Sequence, residues 1–382
     1  MDPKAVAKGR IEELREEVLS LSHRIFDNPE LGFEETKACV WLSEALAGLG
    51  FKVETGVCGL PTAFVARVGD GPLHVALTAE YDALPAMGHA CGHNVIAAAA
   101  VGAAAALAPL AGELGLTVSV IGTPFEEGGA GKQLLLDRGA FEGIHAVAAI
   151  HPAPWDLLDP ILIASRRFEV EYTGKSAHAA MAPQVAINAA DALTIAQVAM
   201  GLLRQHILPT DRMHGIVTKG GDAPNIVPDH TKGSYMVRSR TLEEADVLFQ
   251  KAERCFQAGA LATGATLKLE STIPYAELRQ DPGIMEHYRR NAEALGRVFT
   301  TNEEAGILGS TDIGNVSRVI PCIQPMIGLD CLPAVNHQRE FAAACASEAG
   351  DKAVLDGATA LAWTLIDTAK DSQLRERLLQ RG

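Results

Sequence analysis

Residues 73–110 read LHVALTAEYDALPAMGHACGHNVIAAAAVGAAAALAPL, and the fold turns on how this stretch is read. The apolar run 73–78 has the composition of a buried strand, 79–85 is an acidic turn closed by Pro85, and an alanine-rich helix is predicted from about Asn94. Strand, loop and helix in that order form one step of an α/β sheet, and open sheets of this kind place their ligand crevices beyond the strand ends. The loop between them, GHACGHN at 88–94, carries His89, Cys91 and His93, residue types suited to soft-metal ligation or nucleophilic attack.

The same alternation extends outward. Ile11, Leu14, Val18, Leu21 and Ile25 fall on one helical face and predict a single helix ended by Asn28-Pro29, with a second helix over 34–49. Strands are expected at 51–54, 62–68, 117–122 and 145–150. From Arg167 the texture changes: strand 168–172, helix 185–203, strands 215–219 and 233–238, helix 243–261 and strand 266–271. That order is βαββαβ, the plan of a ferredoxin-like sandwich, and it reads as a domain of 167–274 inserted into an α/β domain made of 1–166 and 275–382. The returning chain reads as a helix from about 281, a short strand at 322–327 and a long closing helix from 351.

A length of 382 residues suits about two domains at roughly 150 residues each. Basic side chains number 33 against 47 acidic ones, a formal charge of −14, and aromatics are 5%, so neither a phosphate backbone nor an anionic membrane is an expected partner. The longest apolar run, 95–110, is interrupted by Gly102 and Pro109 and is short for a bilayer span. Seven scattered cysteines without a CxxC pair imply no disulfide framework, and the charged start MDPKAVAKGR lacks the apolar core of a signal peptide. A cytoplasmic chain is the expectation.

Further chemistry-bearing residues also follow apolar strands. Glu126 and Glu127, in GTPFEEGGAGK, follow 117–122, His151 in AAIHPAP ends the next strand, and His337 lies downstream in AVNHQREF. Thiolate, imidazole and carboxylate arriving from four segments suit zinc or a similar divalent ion. Singly each is ordinary: His151 a strand-end side chain, the glutamates a charged turn, Cys91 a small buried hydrophobe. Their coincidence at strand ends carries the argument. A metal-free cysteine hydrolase with Cys91 as nucleophile stays open, although His93 at i+2 is poorly placed as its base and a distant histidine would have to serve. A non-catalytic ligand-binding chain is the other alternative.

The motifs NPELGFEET, AEYDALP, GHACGHN, PFEEGGAGK, GKSAHAA, GDAPNIVP, GSTDIGNVS and NHQREF, in this order, resemble the two-metal amidohydrolase branch of the aminoacylase and carboxypeptidase superfamily. That branch includes indole-acetyl-amino-acid hydrolases and aminobenzoyl-glutamate hydrolase, and within it the chain is most similar to the small-dipeptide hydrolase group. The resemblance spans nearly the whole chain. It implies a two-domain metallo-exopeptidase fold: an α/β catalytic domain with a mixed sheet, and an inserted ferredoxin-like domain that acts as lid and makes a homodimer. It further implies divalent-metal-dependent hydrolysis of an N-acyl amino acid or small dipeptide. Two ions are implied, zinc first, with manganese, cobalt or nickel as alternatives. Cys91 matches the bridging thiolate, while His93, Glu127, His151 and His337 match the remaining ligands; Glu126 matches the general base and His89 a supporting residue. In the lid, His178 resembles a histidine that reaches a neighbouring active site to stabilise an oxyanion, and Asn225 and Arg238 resemble residues that hold a substrate carboxylate. Ser310, with Thr311 and Asp312, matches a loop lining the cleft. Two positions depart from the pattern: Phe125 replaces a small residue before the glutamates, and Ala130 breaks a run of four glycines.

Overall fold

The computed structural model describes residues 2–381. Its chain forms two compact units, one of Met1–Ile161, Leu278–Leu308 and Asp312–Gly382, the other of Leu162–Glu277 with Gly309–Thr311. The smaller unit begins at Leu162 rather than Arg167 because Ala164–Thr173 is one continuous strand. It also takes back Gly309–Thr311, a return that local pattern does not announce: Ile163 donates its N–H to the Gly309 carbonyl (2.9 Å), and the Ser310 hydroxyl donates to the Ile163 carbonyl (2.6 Å).

In the larger unit a six-stranded sheet runs in the order Lys52–Thr55, Phe64–Val68, Leu116–Gly122, Leu73–Ala79, Ala146–Ala148, Cys322–Ile323. The last four are mutually parallel and the first two antiparallel, so the sheet is mixed. Leu73–Ala79 and Leu116–Gly122 are buried at every residue, which is why they read as unbroken apolar runs rather than alternating ones. The expected strand 322–327 divides. Cys322–Ile323 completes the sheet, whereas Met326–Gly328 pairs in parallel with His151–Ala153 as a separate ribbon.

The alanine-rich helix spans His93–Leu107 and is buried on all sides, which explains its lack of a polar face. Continued through Leu114 the segment is 22 residues, longer than the sequence reading allows and apolar enough to span a bilayer; here protein encloses it. Small side chains set how closely its neighbours approach: a Cβ on Gly102 would lie 2.9 Å from Cβ of Ala358 in the helix Glu348–Lys370. At the N-terminus the single expected helix is two, Pro3–Glu13 and Arg15–Phe26, parted at Leu14 (φ −95°, ψ 9°). The apolar stripe Ile11, Leu14, Val18, Leu21 and Ile25 stays buried across the break.

The smaller unit is a four-stranded antiparallel sheet in the order Thr266–Ser271, Ala164–Thr173, His230–Ser239, Arg212–Lys219, with helices Ala189–Leu203 and Leu242–Thr263. Along the chain the elements run βαββαβ. Asn188 caps the first helix by accepting from Ala190 N–H, which starts it at Ala189 rather than 185. Phe168, Tyr235, Phe249 and Phe256 pack edge to face or offset at 4.8–5.9 Å as the centre of this core.

Gly102→Val should destabilise the larger unit by about 1–3 kcal/mol, because the added methyls have no room against Ala358. Urea unfolding measures this; a variant as stable as wild type would mean the two helices do not meet there.

Candidate active site

Because the strands Leu116–Gly122, Leu73–Ala79, Ala146–Ala148 and Cys322–Ile323 are adjacent and parallel, their C-terminal ends share one edge of the sheet. The loops leaving that edge carry the candidate residues. Gly92 sits in the left-handed region (φ 78°), and a Cβ there would lie 2.7 Å from the Pro152 ring and 3.0 Å from the Cys345 sulfur. Only glycine fits this turn, and it puts Cys91 and His93 on either side of a sharp bend, His93 being the first helical residue. His337, also at positive φ (67°), is fastened to the same loop by its N–H on the Ala90 carbonyl (2.8 Å). Phe125 and Ala130 (φ 54° and 53°) frame Glu126 and Glu127. Strained non-glycine residues concentrate here, as they do where geometry serves function.

Donor atoms converge. Cys91, His93 and His151 bring ligand atoms within 4.8 Å of one another; so do Cys91, Glu127 and His337, and so do His93, Glu126 and Glu127. Cys91 Sγ lies 3.5 Å from His151 Nε2, and Glu127 Oε1 lies 3.4 Å from His337 Nε2 and 4.0 Å from His93 Nε2. The histidines are aimed. His93 Nδ1 sits 3.0 Å from Asp82 Oδ1 and His151 Nδ1 2.8 Å from the Pro152 carbonyl, so each Nδ1 carries a proton and the Nε2 of each neutral ring turns its lone pair inward.

These contacts fit a cation. His93 Nε2 and Glu127 Oε1 are buried without a hydrogen bond, and donors that share an ion through bonds of about 2.0–2.3 Å stand about 3.3–3.8 Å apart in tetrahedral coordination. Burial, the Glu127 charge and, to a smaller extent, Glu126 push the Cys91 thiol well above its ordinary range despite the help of His93. Although His151 is near enough to act as a base, such a thiol is a poor nucleophile, which weighs against cysteine catalysis. Burial and the charges of Glu80 and Glu127 likewise raise the Glu126 carboxyl, the direction a proton carrier needs.

The chain matches Peptidase family M20/M25/M40 over residues 76–355. It belongs to that family. The Xaa-Arg dipeptidase of Mus musculus is 40% identical over 381 residues, covering 94% of this chain and 88% of the relative. One of the subunits of the p-aminobenzoyl-glutamate hydrolase of Escherichia coli (strain K12) is 30% identical over 279 residues, 68% of this chain and 58% of that one. Among solved structures, the Bacillus subtilis YxeP protein, titled a dinuclear metal-binding peptidase of the M20 family, shares the fold at a TM-score of 0.69 and 20% identity, covering 94% of this chain and 99% of its own. M20-family metallopeptidases use divalent metal ions, typically two, and this chain is accordingly a metal-dependent hydrolase of amide bonds.

Other residues that hold this M20 site together escape sequence reasoning. Asp82 is the chief one: fully buried, it orients His93 with Oδ1 and accepts the Glu127 N–H with Oδ2 (3.0 Å), so one carboxylate aligns two donors. Its only signal in the sequence is the acidic turn AEYDALP, a motif whose spacing assigns it no role. Lys132, wholly buried, donates to Asp312 Oδ1 (2.5 Å) and Glu80 Oε1 (2.8 Å), and its backbone N–H reaches Asp312 Oδ2 (2.8 Å). Asp312 therefore serves as a buried counter-charge. His89 is buried with no hydrogen bond of good geometry on its ring, and burial lowers its pKa to about 4, so it stays neutral.

In the smaller unit, His178 Nδ1 accepts the N–H groups of Ala180 and Met181 (3.2 Å each), which leaves the ring proton on the exposed Nε2. The Asn225 carbonyl accepts the Ala179 N–H (3.0 Å), so the His178 and Asn225 segments run side by side. Arg238 donates to the Ser310 hydroxyl (2.9 Å).

Glu35 secures the glutamate loop from the N-terminal segment. Fully buried, it accepts the Phe125 N–H on Oε1 and the Thr62 hydroxyl on Oε2, both at 2.9 Å, and burial raises its pKa to about 7. A carboxyl at about 7 when folded against 4.5 otherwise contributes stability that is complete below about pH 4.5 and is lost as the pH rises through 7. Glu35→Gln, isosteric and uncharged, should gain stability relative to wild type between about pH 5 and pH 8 in urea unfolding. A difference that stays flat across that range would mean the carboxyl titrates normally.

Proposed function

We propose that this chain is a dipeptidase-type amidohydrolase that holds two divalent ions, zinc first, with Cys91, His93, Glu127, His151 and His337. The observation that carries the reading is the donor convergence: three overlapping sets of thiol, imidazole and carboxylate atoms, joined through Cys91, His93 and Glu127, offer more donors than one tetrahedral ion takes. When bound, such ions would lower the pKa of a water held there and polarise the scissile carbonyl. Glu126, next to ligand Glu127, takes the proton from the attacking water and delivers it to the amide nitrogen as the C–N bond breaks, releasing a carboxylic acid and a free amine. The substrate we favour is a small dipeptide, with an N-acyl amino acid as the second choice. The mouse relative's name points to a basic C-terminal residue, and a chain of formal charge −14 suits a cationic substrate.

Arg238 and Asn225 would read the substrate's carboxylate, with Ser310 setting the guanidinium through its hydroxyl. His178, whose Nδ1 is occupied as an acceptor, would offer its Nε2–H as an oxyanion donor to a neighbouring active site. A homodimer through the smaller unit is supported by the edge strand Arg212–Lys219, which exposes Ile216 and Val217, and by Val198 and Leu202 exposed one turn apart on Ala189–Leu203. Edge strands so exposed are covered in native assemblies, and a two-fold pair is the simplest cover. All seven cysteines are free, in keeping with the cytoplasm.

Chelator-stripped protein should lose dipeptide hydrolysis, read as free amine, and regain it with zinc. In the loaded protein Glu126→Gln should keep its metal and lose kcat by roughly two to four orders of magnitude, whereas Glu127→Gln should lose metal. The reverse pattern would exchange the two roles, and activity indifferent to chelation would remove the metal reading.

His178→Ala and Glu126→Ala chains should each be nearly inactive for different reasons. Refolded together, random pairing makes half of the dimers mixed, each with one complete site of two, so activity should return to about a quarter of wild type. Mixtures that stay inactive although a tag shows subunit exchange would place His178 within its own chain's site or outside catalysis.

A further inference from the structure

We infer that Glu80 is an additional metal donor, on the His93 side of the centre, and this rests on the metal-centre reading above. The two oxygens of this fully buried carboxylate have different surroundings. Oε1 is satisfied twice, by Lys132 Nζ at 2.8 Å and by the Gln324 side-chain amide at 3.4 Å. Oε2 is buried with no hydrogen bond, and it lies 3.4 Å from His93 Nε2, which is also buried with none.

Asp82 occupies the other nitrogen of His93 at 3.0 Å, so the inward Nε2 is a lone-pair atom whenever His93 is neutral. Two bare acceptors facing each other at that separation, away from water, repel unless something positive joins them. Zinc or a similar ion bonding nitrogen and oxygen at about 2.0–2.2 Å spaces them about 3.3–3.6 Å apart, which this pair already satisfies. Lys132 then has a distinct task. By holding Oε1 it leaves Glu80 only Oε2 to offer, and it shares its ammonium with Asp312 (Lys132 Nζ–Asp312 Oδ1 2.5 Å). A proton shared between His93 Nε2 and Glu80 Oε2 is the rival account of the same contact.

The two accounts separate in metal uptake, measured as stoichiometry by elemental analysis, as affinity by chelator competition, and as the visible spectrum of the cobalt-substituted protein. Wild type should take two ions. Glu80→Gln and the shorter Glu80→Asp should each weaken one of the two by about tenfold or more and alter the cobalt spectrum. Lys132→Met keeps the carboxylate and removes its competing ammonium, so it should bind both ions at least as tightly as wild type. Wild-type affinity and an unchanged spectrum in Glu80→Gln would overturn the inference and leave the five-donor centre standing. Equal weakening by Glu80→Gln and Lys132→Met would overturn it too, since Glu80 would then matter only as the partner of an ammonium. A wild type that takes up no ion removes the centre, and Glu80 with it. Should the Glu80 variants fail to fold, diffraction from metal-loaded wild-type crystals decides directly: Oε2 at about 2.0–2.2 Å from an ion supports the assignment, and a separation beyond about 3 Å overturns it.

Discussion

The concentration of buried negative charge at one edge of the sheet is the constraint around which the larger unit is built. Glu80, Asp82, Glu126 and Asp312 are all buried, with the Cys91 thiol among them, and against this stand the ammonium of Lys132 and a few imidazoles. Isolated ions in such surroundings cost several kcal/mol each, and removing one partner of a buried pair typically costs about 3–5 kcal/mol. A family that uses divalent ions resolves the conflict with cations. Lys132 answers part of it permanently, by pairing with Asp312 and with one of the two oxygens of Glu80.

That arrangement also explains where the backbone is strained. Phe125, Ala130 and His337 all take positive φ, and each lies in a loop that carries a candidate site residue. The strain persists because neighbours over-determine it. Glu35 holds the Phe125 N–H, Ala90 holds that of His337, and the Phe125 ring is closed in by Gly32 and Gly129, where an added Cβ would lie 2.0 Å from ring atoms. Phe125 and Ala130 thus both fall in the loop that presents Glu126 and Glu127. Phe33 meets Phe125 edge-on at 4.9 Å, so aromatic surface stands next to the glutamates.

Charge and packing share the work differently in the two units. The smaller unit is held by an aromatic centre and antiparallel strand pairing, with no buried charge network like that around Lys132 among its described residues. Its candidate residues are posed by the backbone: two N–H groups fix the tautomer of His178, and a return segment of the chain brings Ser310 to Arg238. Such poses depend on hydrogen bonds between segments far apart in the chain, including Arg238 to Ser310 across 72 residues.

Period and composition determined a good deal by themselves: the α/β alternation, the inserted βαββαβ order, and the strand-end location of Cys91, His93, Glu126, Glu127 and His151. These are local properties, because an apolar run between polar turns has few ways to be buried. Tertiary structure alone decided the rest. It split the first helix at Leu14 and the strand 322–327 into two sheets, and it returned Gly309–Thr311 to the smaller unit. It gave Asp82 two donors to align and buried Lys132 between Glu80 and Asp312, residues up to 232 positions apart (312 − 80). A carboxylate in sequence is only a charge; whether it orients a histidine, neutralises a lysine or leaves one oxygen bare depends on partners that no local spacing encodes, because folding sets those distances.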